Sequence, residues 1–238
     1  MNRLQVSIVM STYNQADTLT EALESVLRQD LEKECWEVIV VDDGSTDRTP
    51  ELLCAYADRV KVHSRSHQGL PAACNTGLAQ ARGEYLARMD SDDRVASDWV
   101  RQELEVLRAH PEACAVYPDY VEFREDGSLH PRPTREGNLY SLMACGTLFR
   151  TQALRSVGGY RPFYWEEYDL YLRLQQRWSL LHLPKPLYFA RNHPARMTAQ
   201  DEQRQQGWKE LIQVWGRETL LAAGTDPELE EIAACASR

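Results

Sequence analysis

The chain has 238 residues, of which 43% are apolar and 26% charged. At roughly 150 residues per domain this is one large domain or a domain with an appendage, and the apolar share excludes a disordered chain. With 36 acidic against 27 basic residues and a net charge of -9, it lacks the basic surface that general nucleic-acid binding needs; a local cation would still let it hold one small anion.

No run approaches the roughly 20 apolar residues of a membrane span. The start, Met1 to Val6, leads straight into strand-like sequence without a signal peptide's apolar stretch. Cys35, Cys54, Cys74, Cys114, Cys145 and Cys235 form no C-x-x-C pair. They read as packing thiols of a reducing, cytoplasmic protein, not as a zinc site or disulfide framework.

Leu4 to Met10 reads as a buried strand. From Thr18, apolar residues recur at Leu19, Ala22, Leu23, Val26 and Leu27, one face of a helix. Trp36 to Val41 is a second strand, closing on Asp42-Asp43-Gly44-Ser45, and a helix starts near Thr49 with Pro50 at its first position. Val60 to His63 is a third strand, Leu70 to Ala81 a helix, Tyr85 to Met89 a fourth strand and Asp98 to Arg108 an amphipathic helix. This alternation predicts a parallel sheet with helices on its faces.

Beyond Pro111 the rhythm changes. Ala113 to Phe123 looks extended and Glu125 to Ser128 is a turn. His130 to Asn138 is polar and contains Pro131 and Pro133, which predicts a mobile loop. Met143 to Arg150 is strand-like, a short helix ends at Gly158-Gly159, and Glu167 to Arg177 is helical. Leu180 to Leu183 and Leu187 to Ala190 read as two short strands. The tail holds two helices. The stripe Trp208, Leu211, Ile212 and Trp215 docks one on the domain, and Asp226-Pro227 opens the other. Lys209 and Arg217 are too few for a basic membrane face, so membrane contact is at most peripheral.

In an open parallel sheet, ligands bind beyond the carboxyl ends of the strands. Those ends carry Ser11-Thr12-Tyr13-Asn14, then Asp42 to Asp47, then Asp90-Ser91-Asp92-Asp93. Asp42 to Asp47 serves equally well as a turn and helix cap. Asp90 to Asp93 has more carboxylates than one cap needs. Hard oxygens in a tight turn suit Mg²⁺ or Mn²⁺. There is no G-x-G-x-x-G and no glycine followed by lysine, so neither a dinucleotide fingerprint nor a P-loop is present.

At these residues the sequence resembles the family 2 glycosyltransferases, which have the GT-A fold and use nucleotide-sugar donors. The likeness lies in Val6 to Asn14, Val40 to Asp47, Gly83 to Asp93 and Trp165 to Leu174. It implies an α/β fold: a GT-A type, Rossmann-like α/β/α sandwich with a mostly parallel sheet and a C-terminal helical tail. The expected division is a glycosyltransferase domain over 1–198, with a nucleotide-binding half (1–110) and an acceptor-binding half (111–198), followed by a helical extension over 199–238.

The resemblance also assigns roles. Thr12, Tyr13 and Asp42 match positions that hold nucleobase and ribose, with Asn14 and Asp43 beside them. Asp90 and Asp92 match the D-x-D signature that sets a divalent metal, Mn²⁺ or Mg²⁺, on the donor diphosphate, with Ser91 between them. Glu166-Glu167 matches the acidic pair that supplies the base; Glu167 is the first choice and Asp169 stands close by. His193, in Arg191-Asn192-His193-Pro194 before Met197-Thr198, matches a histidine near the metal or diphosphate.

Two departures matter. Where the family commonly has arginine, this chain has Cys74, and Arg88 is a substitute cation for the donor. The acidic pair is Glu-Glu rather than Glu-Asp. Without the resemblance, Glu166 and Glu167 read as first-turn helix charges. Tyr160, Phe163, Tyr164 and Trp165 serve equally well as packing or as a platform for an acceptor sugar.

The implied activity is inverting, metal-assisted transfer of a sugar from a nucleoside diphosphate, uridine by family habit, to a hydroxyl of a glycan, lipid-linked or other acceptor in polysaccharide biosynthesis. The alternatives are a sugar nucleotidyltransferase and a non-catalytic carbohydrate-binding module. The first wants a basic, glycine-rich loop, yet Ser11 to Asp17 has no Lys, Arg or Gly. The second would be favoured by loss of the acidic turn or pair, and both are present.

Overall fold

A computed structural model describes residues 4–135, 137–193 and 201–235. The expected boundary at 198, the matched Pro194 and Met197-Thr198, and the side chain of Cys235 lie outside the described residues.

The first half alternates as the sequence predicts. β1 (Val6–Thr12), β2 (Trp36–Asp42), β3 (Lys61–Ser64) and β4 (Tyr85–Asp90) run parallel in the order β3-β2-β1-β4. Every residue of β1 is buried, because helices cover both faces of the sheet. The pleat divides the strands: Ile8, Met10, Val38 and Val40 pack on one side, Val9, Ile39 and Val41 on the other. The first side takes α1 (Leu19–Val26), the buried Leu53 of α2 (Thr49–Cys54), and α4 (Trp99–Ala109). The other takes α3 (Leu70–Gln80), which approaches so closely that a Cβ at Gly77 would overlap the Val9 side chain.

The second half is mixed. β5 (Arg94–Val95), β6 (Ala113–Phe123), β7 (Leu129–Arg132), β8 (Leu148–Arg150) and β9 (Ser179–Arg191) complete a nine-stranded sheet in which β8 is antiparallel to both β4 and β6. α5 (Thr151–Ser156), α6 (Glu166–Gln175) and the tail helices α7 (Asp201–Trp215), α8 (Arg217–Ala223) and α9 (Pro227–Cys235) follow on the α3 side. Trp208 and Leu211 dock α7 on the core. Asp226 Oδ1 accepts from the Glu228 and Leu229 N–H groups, 3.0 Å each, and so caps α9.

Four expectations need correction here. His130 to Asn138 is not all loop: residues 129–132 form β7 on β6, and the Thr134 N–H donates to Asp119 Oδ1 at 2.7 Å. Of Met143 to Arg150 only the last three residues are strand. The rest is a turn, with Gly146 at φ +83° and the Thr147 hydroxyl on the Met143 carbonyl. The two short strands after Leu180 are one strand, β9, which passes Pro184 and Pro186 because register shifts in its parallel pairing with β6 absorb the irregularity. The tail has three helices among the described residues, α7 ending at Gly216 (φ +77°). No helix among the described residues is long and apolar enough to cross a membrane.

Candidate active site

Parallel pairing sets Thr12 opposite Asp42 and Ser11 opposite Asp90, so the three polar strand ends share one edge. The loops after β1 and β2 tie each other down. Asn14, in the left-handed region at φ 52°, accepts from the Thr46 N–H at 2.8 Å and donates its own N–H to Ser45 Oγ at 2.9 Å. Asp42 Oδ1 accepts from the Ser45 N–H at 3.0 Å. Asp43 is engaged elsewhere. Its carboxylate accepts from the Gly69 N–H at 2.7 Å and pairs with Arg65 at 3.1 Å and His67 at 2.9 Å, bracing residues 65–69. The half-exposed Tyr13 ring stacks on His67, centroids 4.1 Å apart. Thr12 Oγ1 is buried without a hydrogen-bond partner among the described residues. The result is a flat aromatic shelf beside backbone and hydroxyl groups.

Next to it lies the acidic turn. Oxygens of Asp90, Asp92 and Asp93 all fall within 4.8 Å of one another. Burial, and then the neighbouring Asp90 charge, push the Asp92 carboxyl above its usual range, while His193 Nε2, 3.0 Å from Asp92 Oδ2, pulls the other way. Asp93 is raised well above that range by burial, then by the charges of Asp92 and Asp90. Such crowding of carboxylates is what a bound cation relieves. The hard oxygen donors of Asp90 and Asp92, flanked by His193, therefore fit a divalent ion.

Behind the turn sits Arg88, only 4% exposed. Its guanidinium is 2.8 Å from Glu166 Oε1 and 3.8 Å from Asp90 Oδ1, and it lies over the Tyr160 ring at 5.5 Å. It thus bridges the acidic turn to the start of α6. Burial pushes the nearby Cys74 thiol up to about 11, and its Sγ lies 3.5 Å from Ser11 Oγ. Arg88, the substitute donor cation in the sequence, is buried here and paired with Glu166. Glu166 is spent on that pair. The neighbouring Glu167 is half-buried; burial, then the Glu166 charge, raise its carboxyl well above the usual range, against the pull of Arg88.

Asp169 is not brought to this edge. It is fully buried, ion-paired with Arg173 at 2.8 Å, and it accepts from the Trp215 indole N–H at 3.0 Å, which ties α6 to α7. Each of its oxygens is already engaged, which removes it as a candidate base. Ser91 is buried and its carbonyl accepts from the Thr18 hydroxyl at 3.2 Å. Of the aromatic group, Trp165 is core, stacked with Tyr168 and close to Trp208. Asp93 lies within the acidic turn, whereas Tyr188 and His67 carry no local signal in the sequence.

A model of the family described as Glycosyl transferase family 2 matches residues 7–173. EpsE of Bacillus subtilis (strain 168), which bears a glycosyltransferase name, is 32% identical over 204 residues, 79% of this chain and 73% of that protein. Chondroitin synthase of Escherichia coli is 31% identical over 77% of this chain, which spans 28% of that longer protein. Among solved structures, S. aureus TarS 1-349, in complex with UDP-GlcNAc, has a TM-score of 0.72 at 19% identity, covering 91% of this chain and 70% of that one. The mannosyltransferase PcManGT of Pyrobaculum calidifontis, in complex with GDP-Man and Mn²⁺, has a TM-score of 0.68 at 19% identity, covering 99% of this chain and 80% of that one.

Proposed function

The chain belongs to glycosyl transferase family 2 and has the GT-A fold, and from that premise we propose that it moves a sugar from a nucleoside-diphosphate sugar to a hydroxyl of a glycan or lipid-linked acceptor, by one inverting displacement. The observation that carries this reading is the Asp90–Arg88–Glu166 bridge, which joins the acidic turn to the glutamate pair through one buried guanidinium. The nucleobase would stack on the Tyr13 ring, a role supported by TarS, a neighbour in fold solved with UDP-GlcNAc.

Asp92 and Asp90, with His193 beside them, would hold Mn²⁺ or Mg²⁺, and PcManGT was solved with Mn²⁺. When bound, such an ion supplies positive charge to the diphosphate as it leaves. Glu167 accepts the acceptor hydroxyl proton as that oxygen bonds to the anomeric carbon and the bond from carbon to phosphate oxygen breaks. Its raised affinity for a proton suits it to this task. Arg88 holds Glu166 in place and keeps a second negative charge from facing the acceptor uncompensated. With the base and the leaving group on opposite sides of the sugar, this displacement would invert the anomeric centre. The likeness to chondroitin synthase supports a role in polysaccharide synthesis.

Thermal-shift titration with UDP and GDP, with and without Mn²⁺, tests the reading. Mn²⁺ should tighten nucleotide binding and Asp92→Ala should abolish that gain. Equal binding in the presence of a chelator would overturn the metal-assisted mechanism.

A further inference from the structure

The acidic turn is short, polar and crowded with like charge, so something must fix its shape before an ion arrives. The end of β9 does this. Tyr188 is fully buried; its hydroxyl donates to Asp93 Oδ2 at 2.6 Å and accepts from the Asp90 N–H at 3.1 Å. Asp93 Oδ1 accepts from the Arg191 N–H at 2.8 Å. The Arg191 side chain returns to the turn, its Nε donating to the Asp92 carbonyl at 2.8 Å. Both oxygens of Asp93 thereby accept a hydrogen bond from β9.

The tyrosine ring is itself held rigidly. A Cβ at Gly146 would lie 2.8 Å from it, so only a glycine fits there. The Trp99 indole, whose N–H donates to the Gly146 carbonyl at 2.8 Å, packs edge-on against it. A side chain locked by packing can hold a ligand set at fixed spacing.

We infer that Tyr188 and Asp93 act as one positioning unit, which sets the separation of Asp90 and Asp92 for a divalent cation without either residue touching the ion. This rests on the metal-assisted reading above. Tyr188→Phe removes one hydroxyl and keeps the ring. Loss of a single hydrogen bond of this kind corresponds to about a tenfold change in an equilibrium.

The test is Mn²⁺ titration of UDP binding by calorimetry, alongside thermal unfolding. Tyr188→Phe should raise the Mn²⁺ concentration at half-effect about tenfold, while UDP affinity at saturating Mn²⁺ recovers. Asp93→Asn should behave likewise, and the double variant should be no worse than the poorer single one, because a unit is lost only once. Unchanged Mn²⁺ midpoints in both folded single variants would overturn the inference alone. So would additive losses, or losses that follow the unfolding temperature and not the Mn²⁺ midpoint. A wild-type protein indifferent to Mn²⁺ would overturn the metal-assisted reading as well.

Discussion

The two halves of the sheet reach the active edge by different routes. In the parallel half, Thr12 to Asn14, Asp42 and Asp90 stand where their own strands end, and bonds spanning 31 to 33 residues tie Asn14 to the loop after β2. In the mixed half, Glu166 and Tyr188 come from elements whose function is realised only against the first half: Arg88 meets Glu166 across 78 residues and Tyr188 meets Asp93 across 95. The first half builds its Tyr13–His67 shelf from loops that follow its own strands. The second half supplies polarity and rigidity at a distance. The acidic turn lies on the seam and depends on both.

That division can be broken by experiment. The largest effect belongs to Glu167→Gln, which should cut transfer about 10²–10⁴-fold while UDP binding stays unchanged; a variant with normal turnover would put the base elsewhere. Arg88→Met comes next. It leaves Glu166 buried without its cation, and removal of one partner of a buried pair costs about 3–5 kcal/mol, readable by urea unfolding. Unaltered stability would mean that the halves are not joined there.

Gly77→Ala probes the parallel half alone. Overpacking against Val9 should cost about 1–3 kcal/mol without altering the Mn²⁺ dependence of UDP binding.

The smallest effect concerns Glu103 of α4, fully buried in the core, where burial raises its carboxyl well above the usual range against lesser pulls from Trp99 and the Leu148 backbone. Above the ordinary carboxylate range and up to that raised value, the folded protein binds more protons than the unfolded one. Stability must therefore fall as pH rises through this window. Glu103→Gln should flatten that slope and gain about 1 kcal/mol at its upper end, measured by urea unfolding at several pH values.

The parallel half was legible because each element carries its own signal: strands buried on both faces read as apolar runs, and α1 and α4 show one apolar stripe each. β5 is only two residues long, too short for any period. β7 is exposed throughout and exists because β6 is there to pair with it. The site follows the same division. Asp90 and Asp92 stand out as carboxylates in unusual company, whereas Glu167 is singled out by the family resemblance alone. The contacts of Arg88 and Asp169 are not legible in the sequence because they depend on partners that only the fold supplies, Glu166 for one and Trp215 for the other. Tyr188 looks like any strand aromatic until its hydroxyl is followed to Asp93.

The late position of β9 in the chain has a kinetic meaning. On the ribosome the first 110 or so residues emerge with three parallel strand ends in place, yet β5 pairs only with β9, whose residues follow more than 80 positions later. Until that strand is synthesised and slots between β6 and β5, the nascent polypeptide has an open sheet edge, a hazard for intermolecular association. A chain that stops short of β9 leaves β5 and β6 without the strand between them and the acidic turn without the Tyr188 and Arg191 bonds.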